Sequence, residues 1–285
     1  MAMDAVITGA STGIGRAAVK VITSNGWRVF AAVRKEADAA SLRSEFGDKV
    51  HPLIFDVTDA AAVAAAAAEV RALLGGRTLK GLVNNAGMGL GGPLALQPVA
   101  EIRRVFEVNV LGPVAVSQAF IPLLGGDRSL SGAPGRIVNI TSTGGVVAPP
   151  FIGDYAMSKH ALEAFTDCLR RELMLYGIDV IAIGPGAVAT PIWDKAEGGD
   201  QSRYASSDFG PALAKFVQYF VTGGRNGLPP ERIGEAIHLA LTTPKPRARY
   251  AVLRGKFLNW TVPRLLPKRV LDRRIGRGLG LTPPV

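Results

Sequence analysis

The stretch AVITGASTGIG, residues 5–15, decides the fold. It begins as a short apolar run, turns on glycine, and opens a helical pattern from about Ile14 to Ser24. Gly9, Gly13 and Gly15 are spaced G-x-x-x-G-x-G. Glycine lets a backbone turn tightly and approach a pyrophosphate closely, and a helix N-terminus favours negative charge. Strand, glycine turn and helix in that order read as a dinucleotide cradle. The competing reading is a glycine-rich turn without a ligand.

Outward from this unit the same rhythm repeats. WRVFAAV (27–33), VHPLIFDV (50–57), LKGLVNNAG (79–87), GRIVNITS (135–142), IDVIAIGPG (178–186) and RYAVLR (249–254) read as strands rich in Val and Ile. Helical patterns cover about 60–74 (alanine-rich), 98–124, 153–176 and 230–242. Strands apolar on both faces and alternating with helices predict an α/β, Rossmann-type doubly wound parallel sheet with helices on both sides. One domain is expected over residues 1–255, with a lid at about 190–229 and a basic extension over 256–285. In such sheets ligands bind beyond the carboxyl ends of the strands.

Composition excludes several alternatives. The 285 residues are 48% hydrophobic and 20% charged, as in a globular protein with a sizeable core. A single cysteine, Cys168, leaves no internal disulfide or thiolate metal site. His51, His160 and His238 lack metal-ligand spacing, so no metal is expected. The N-terminus has no signal-peptide pattern, and no apolar run reaches the roughly 18 residues that span a bilayer. The expectation is a cytoplasmic protein. Residues 245–285 hold eleven basic residues against one acid, Asp272, and so account for the whole formal net charge of +10. A neutral body with a basic tail points to a local surface interaction and away from nucleic acid.

Two positions bear on the nucleotide. The second strand ends at Val33, where sites preferring NAD usually carry an acid, and Arg34 follows. An arginine can pair with a 2′-phosphate, so NADP(H) is favoured over NAD(H); the other reading is a solvated arginine. Asp56 ends the third strand, placed to accept from an adenine amino group or to cap the next helix. In DYAMSKHAL (154–162), Tyr155 and Lys159 stand four apart and so share one face of a helix. Such a pair is often only a surface contact.

In register over about residues 4–255, TGASTGIG, NNAG (84–87), Asn109 in FEVNVLG, Ser142 in NITS, YAMSK and GPGAVAT (184–190) resemble the short-chain dehydrogenase/reductase family. The resemblance implies an oxidoreductase acting on a carbonyl or secondary alcohol, with hydride supplied by the cofactor. It implies Tyr155 as general acid or base, Lys159 as the group that lowers the phenol's pKa and bonds the nicotinamide ribose, and Ser142 as a hydrogen-bond partner of the reacting oxygen. Asn109 would orient a water leading from Lys159 to solvent, unless it only bonds the backbone. Implied cofactor contacts are Gly9, Ser11, Thr12, Gly13, Ile14, Gly15, Arg34, Asp56, Val57, Asn85, Ala86, Gly87, Tyr155, Lys159, Pro185, Gly186, Val188 and Thr190. Thr12 departs from the basic residue that many NADP-using relatives carry there, which weakens the NADP(H) assignment.

The expected substrate surface includes Ser142, Val147, Phe151, Tyr155 and Trp193, together with Met88, Val146, Phe209, Phe216 and Tyr219. Its scarcity of charge suits an apolar ketone or alcohol of steroid, retinoid or aromatic type. The resemblance also implies a homodimer or homotetramer. In the tail, Leu265, Leu266, Val270, Leu271 and Ile275 alternate with basic residues. Packing across the lid or onto a partner is favoured over an interfacial helix on anionic lipid, because Pro263 and Pro267 limit helix length. A non-catalytic dinucleotide sensor is the alternative function, and the complete Asn109, Ser142, Tyr155 and Lys159 set argues against it.

Overall fold

The computed structural model describes residues 3–193 and 202–283; lid residues 194–201 lie outside the described residues. Among the described residues seven strands form one parallel sheet in the order β3-β2-β1-β4-β5-β6-β7. They are β1 Asp4–Thr8, β2 Arg28–Val33, β3 Val50–Ile54, β4 Gly81–Asn84, β5 Arg136–Ile140, β6 Asp179–Pro185 and β7 Arg249–Val252. Side chains alternate across a strand with a period of two. Ala5 and Ile7 therefore enter one core, with Val29 and Ala31, while Val6 enters the other, with Phe30 and Ala32. Both faces are dry, which is why these strands read as unbroken apolar runs. The strand order reverses between β1 and β4, opening the crevice in which such sheets bind ligands.

Helices α1 Gly13–Ser24, α2 Glu36–Phe46, α3 Ala60–Leu74, α4 Val99–Phe106, α5 Gly112–Phe120, α6 Gly153–Glu172, α7 Gly210–Arg225 and α8 Glu231–Thr242 cover the sheet and the lid. α1 and α8 pack together on the first face, where a Cβ at Gly234 would lie 2.9 Å from a Val21 methyl. α3, α5 and α6 contribute to the second core. Asp59 caps α3 by accepting from the Ala62 N–H at 3.0 Å. The capping role considered for Asp56 thus belongs to Asp59.

Three elements differ from the sequence expectation. α2 shows no legible period because only Ala39 and Leu42 are buried. The 98–124 stretch is not one regular helix: Glu107–Leu111 winds as a π-helical turn between α4 and α5, with Asn109 buried in it. The lid segment contains a sixteen-residue helix, α7. Ala212, Leu213 and Phe216 of α7 join Phe151 and Tyr204 in a third, smaller core. In the tail, Trp260 is buried, and a last helix, α9 Lys268–Leu279, brings Leu279 onto the third core, followed by Leu281.

Candidate active site

The nucleotide end is built by backbone. Gly9 and Gly13 have φ of +64° and +55°, in the left-handed region that favours glycine. Gly15 is required by closeness, since a Cβ there would sit 2.1 Å from the Gly9 carbonyl oxygen. Thr8 holds the loop against β4: its hydroxyl accepts from the N–H groups of Asn85 at 3.0 Å and Ala86 at 3.1 Å. Asn85 in return donates to the carbonyls of Thr8 and Gly9. Thr12 makes no side-chain cap on α1, and no acid stands in the first helical turn. A cradle with no room for a Cβ, at a helix N-terminus free of acids, fits a pyrophosphate. Thr190 closes it from the lid side, 3.2 Å from where a Cβ of Gly13 would be.

At the end of β2, Arg34 is 71% exposed and its guanidinium lies 3.8 Å from Asp56. Burial pushes the Asp56 carboxyl up, but hydrogen bonds from the Thr58 N–H and hydroxyl and the charge of Arg34 outweigh it, and the group sits below its ordinary value. Val57 is buried in the second core, so only its backbone can face a ligand. Pro185 ends β6, and Gly186 bonds the Val252 carbonyl at 3.0 Å. The lid's two ends are pinned together, Ala189 donating to Leu228 and Leu228 to Ala187.

The chemistry end gathers on α6 and at the end of β5. Ser142 and Tyr155 are hydrogen-bonded, and the Lys159 ammonium lies 5.6 Å from the centre of the Tyr155 ring. The Ser142 oxygen accepts from the Gly144 N–H at 2.9 Å, which leaves its own proton free to donate. Gly89 passes close to Tyr155, and Gly87 to Asn109 and Lys159, so the NNAG turn lies directly against the cluster. Asn109 grips that segment: it accepts from the Met88 N–H at 2.8 Å and donates to the Met88 carbonyl at 2.7 Å. It also donates to Ser158, which donates to the Tyr155 carbonyl. The backbone role weighed for Asn109 is thus the one seen here.

The phenol differs from expectation. Burial raises the Tyr155 pKa, and the Ser142 hydrogen bond opposes this only in part. Lys159 was expected to lower it, but its ammonium donates to the Ile140 carbonyl at 2.8 Å. Burial lowers Lys159 itself to about 8, against the opposing charge of Glu163. Below about pH 8 the folded and unfolded chains both keep this proton, and the fold bears the full cost of a buried ammonium. Between about pH 8 and the ordinary value of 10.5 the unfolded chain keeps a proton that the folded chain has lost, so this group's contribution to stability rises with pH. Urea unfolding of wild type and Lys159→Met is expected to show the difference between them shifting in favour of wild type as pH rises through about 8. A pH-independent difference would contradict the assignment.

Residues 4–200 match the family described as short chain dehydrogenase. The chain belongs to the short-chain dehydrogenase family. It is an oxidoreductase of the class that interconverts CH–OH and C=O groups. It is 39% identical over 269 residues to the NADPH-dependent 3-dehydrocapnine reductase of Ornithobacterium rhinotracheale, covering 94% of each chain. It is 32% identical over 278 residues to mouse retinol dehydrogenase 5, covering 93% of this chain and 85% of that one. A short-chain dehydrogenase/reductase from Burkholderia phymatum, solved in complex with NAD, superposes with a TM-score of 0.77 at 27% identity, covering 100% of this chain and 98% of that one.

Sequence reasoning on this short-chain dehydrogenase missed the groups behind the site. Arg249 of β7 forks onto Glu163 at 2.8 Å and donates to the Ser142 carbonyl at 3.2 Å. Trp260 stacks on that guanidinium at 4.4 Å. Glu163 stands one turn after Lys159, a spacing visible in the sequence, whereas Arg249 arrives only through the sheet. Asp154, fully buried, accepts from the N–H groups of Leu90 and Gly91 and so fixes the loop after NNAG. Several expected pocket residues are committed elsewhere. The Phe151 ring packs on Phe209 and Phe216. Trp193 donates to the Val188 carbonyl at 2.6 Å and packs on Phe220. Tyr219 is 77% exposed on α7. Val147 is half-buried beside the Ser142 loop. Among the described residues no group of His, Cys, Asp or Glu could hold a metal ion.

Proposed function

We propose that the protein reduces the carbonyl of an apolar ketone with NADPH, Tyr155 being the proton donor. The observation that carries this reading is the convergence of Ser142, Tyr155 and Lys159 beside the glycine cradle. The Ser142 hydroxyl donates to the substrate oxygen and Tyr155 gives that oxygen its proton. A phenol, whose ordinary pKa is about 10, is protonated at neutral pH and so can give the substrate oxygen its proton. Lys159 would anchor the nicotinamide ribose and would limit the negative charge left on Tyr155. The bound dinucleotide supplies the hydride. Gly9, Ser11, Thr12, Gly13, Ile14 and Gly15 would hold the pyrophosphate, and Asp56, Asn85, Ala86, Gly87, Val188 and Thr190 the remainder.

NADPH is favoured because Val33 leaves no acid for the ribose and Arg34 is exposed at the right strand end. The similarity to an NADPH-dependent reductase supports it. An NAD(H)-preferring enzyme is the second reading, and the approach of Arg34 to Asp56 favours it. Arg34→Ala is expected to raise the KM for NADPH about tenfold and leave that for NADH unchanged. An unaltered NADPH preference would sink the NADP(H) assignment.

Leu90, Leu94 and Leu96, on the segment after NNAG, and Ile192, at the start of the lid, are exposed. Such flanks suit an apolar substrate, as does the similarity to a retinol dehydrogenase. Ser142, Val147 and Tyr155 form its inner wall, and Phe151 and Trp193 act through the lid they anchor. Oxidation of NADPH and NADH against a panel of steroid, retinoid and aromatic ketones tests the substrate class. Preference for small charged ketones would contradict it.

A further inference from the structure

From Arg254 to Leu271 the chain carries Arg254, Lys256, Arg264, Lys268 and Arg269 and no acid. The same stretch exposes Phe257 at 69%, Leu258 at 68% and Leu265 at 78%. Large apolar side chains so exposed, and so close together in a cationic segment, mark an interaction surface. They are not loosely held. Trp260, between them in sequence, is 6% exposed and lies between the guanidinium of Arg249 at 4.4 Å and that of Arg264 at 4.8 Å. The segment is thus fastened to β7 by Trp260 while Phe257, Leu258 and Leu265 face solvent. Arg249, Lys256 and Arg264 also line a cavity of about 360 Å³ with Trp260 and Glu163. Lys256 and Arg264 have no carboxylate within ion-pair distance among the described residues.

We propose that residues 254–270 dock the protein on a membrane surface containing anionic lipid. Phe257, Leu258 and Leu265 enter the boundary between headgroups and acyl chains, and the surrounding cations engage lipid phosphates. The apolar stripe of α9 does not take part: Leu271, Ile275 and Leu279 are half-buried, and Leu279 packs on the third core. Its exposed side adds Arg273, Arg274 and Arg277 to the same basic end, opposed by Asp272 alone. A second copy of this chain is a poorer occupant. A two-fold contact would set this cationic patch against itself with no acid to compensate. Among the described residues no helix is long and apolar enough to cross a membrane, so the contact is peripheral.

The test is flotation of the full chain with vesicles of phosphatidylcholine alone and of phosphatidylcholine with one quarter phosphatidylserine, at low and high salt. The wild type is expected to float with the mixed vesicles only, and several-fold less at high salt. Phe257→Ser, Leu258→Ser and Leu265→Ser together alter only exposed side chains. This variant is expected to keep the wild-type melting temperature and lose about tenfold or more of the bound fraction. Lys268→Glu with Arg269→Glu should act alike. Wild type that stays unbound in both vesicle types overturns the proposal, as does a triple serine variant that floats as well as wild type. Light scattering gives the remaining arm: a wild-type dimer that the serine variant dissociates would assign the face to a second copy and refute lipid docking.

Discussion

Tyr155→Phe is expected to lower turnover of a ketone substrate by about 10²–10⁴-fold, the range of a lost general acid. That corresponds to about 3–5 kcal/mol of transition-state stabilisation. Phenylalanine keeps the ring, so Lys159 and the Gly144 loop keep the surface they pack against, and only the proton and its Ser142 bond disappear. Dinucleotide affinity, measured by NADPH fluorescence, is therefore expected to change by less than about twofold, with the loss appearing in kcat. The ring contacts survive the substitution, so the fold should tolerate loss of the hydroxyl. Equal turnover by wild type and variant would show that Tyr155 is not the proton donor and would end the mechanism proposed here.

Gly15→Ala is expected to weaken dinucleotide binding by more than about tenfold and to destabilise the fold by about 1–3 kcal/mol, the usual cost of overpacking. The added methyl would lie 2.1 Å from the Gly9 oxygen and 2.6 Å from Asn85 Nδ2. Neither can retreat cheaply. The Gly9 backbone follows directly from β1, and Asn85 is tied to the carbonyls of both Thr8 and Gly9. The loop must open, and its N–H groups then lose their aim. Gly223→Ala is the control: nothing lies within 4 Å of a Cβ there, and alanine favours a helix over glycine. It should bind dinucleotide as wild type does and melt no lower. Unchanged binding by Gly15→Ala would show that the cradle is not a pyrophosphate site.

Much of this was legible before any coordinates. The strands announced themselves because both faces of the sheet are buried, and the alanine-rich helix matched its expected span, 60–74, through its Asp59 cap and the strong helix propensity of alanine. Tyr155 and Lys159 were visible as a pair because helical spacing is local. α2 was not visible, since a helix lying mostly in solvent needs only Ala39 and Leu42 for its core contact. α7 was obscured because its apolar side chains serve a small core shared with Phe151 and Tyr204, far away in sequence. The same distance hides the ring contacts that Phe151 and Trp193 make. Nothing local shows that a ring is already engaged by Phe216 or Phe220.

The sequence by itself determined the alternation of strands and helices, the glycine cradle and the residue types available for proton transfer. Each depends on backbone preference or on spacing within one turn. Tertiary structure alone decided how those groups are poised. It holds the Lys159 ammonium on the Ile140 carbonyl, brings Arg249 from the last strand onto Glu163 and Ser142, and ties Asn109 to Met88. It also buries Trp260 while leaving Phe257, Leu258 and Leu265 in solvent. Burial raises the Tyr155 pKa and lowers that of Lys159, and burial is a property of neighbours brought together by the sheet, which no local pattern along the chain encodes.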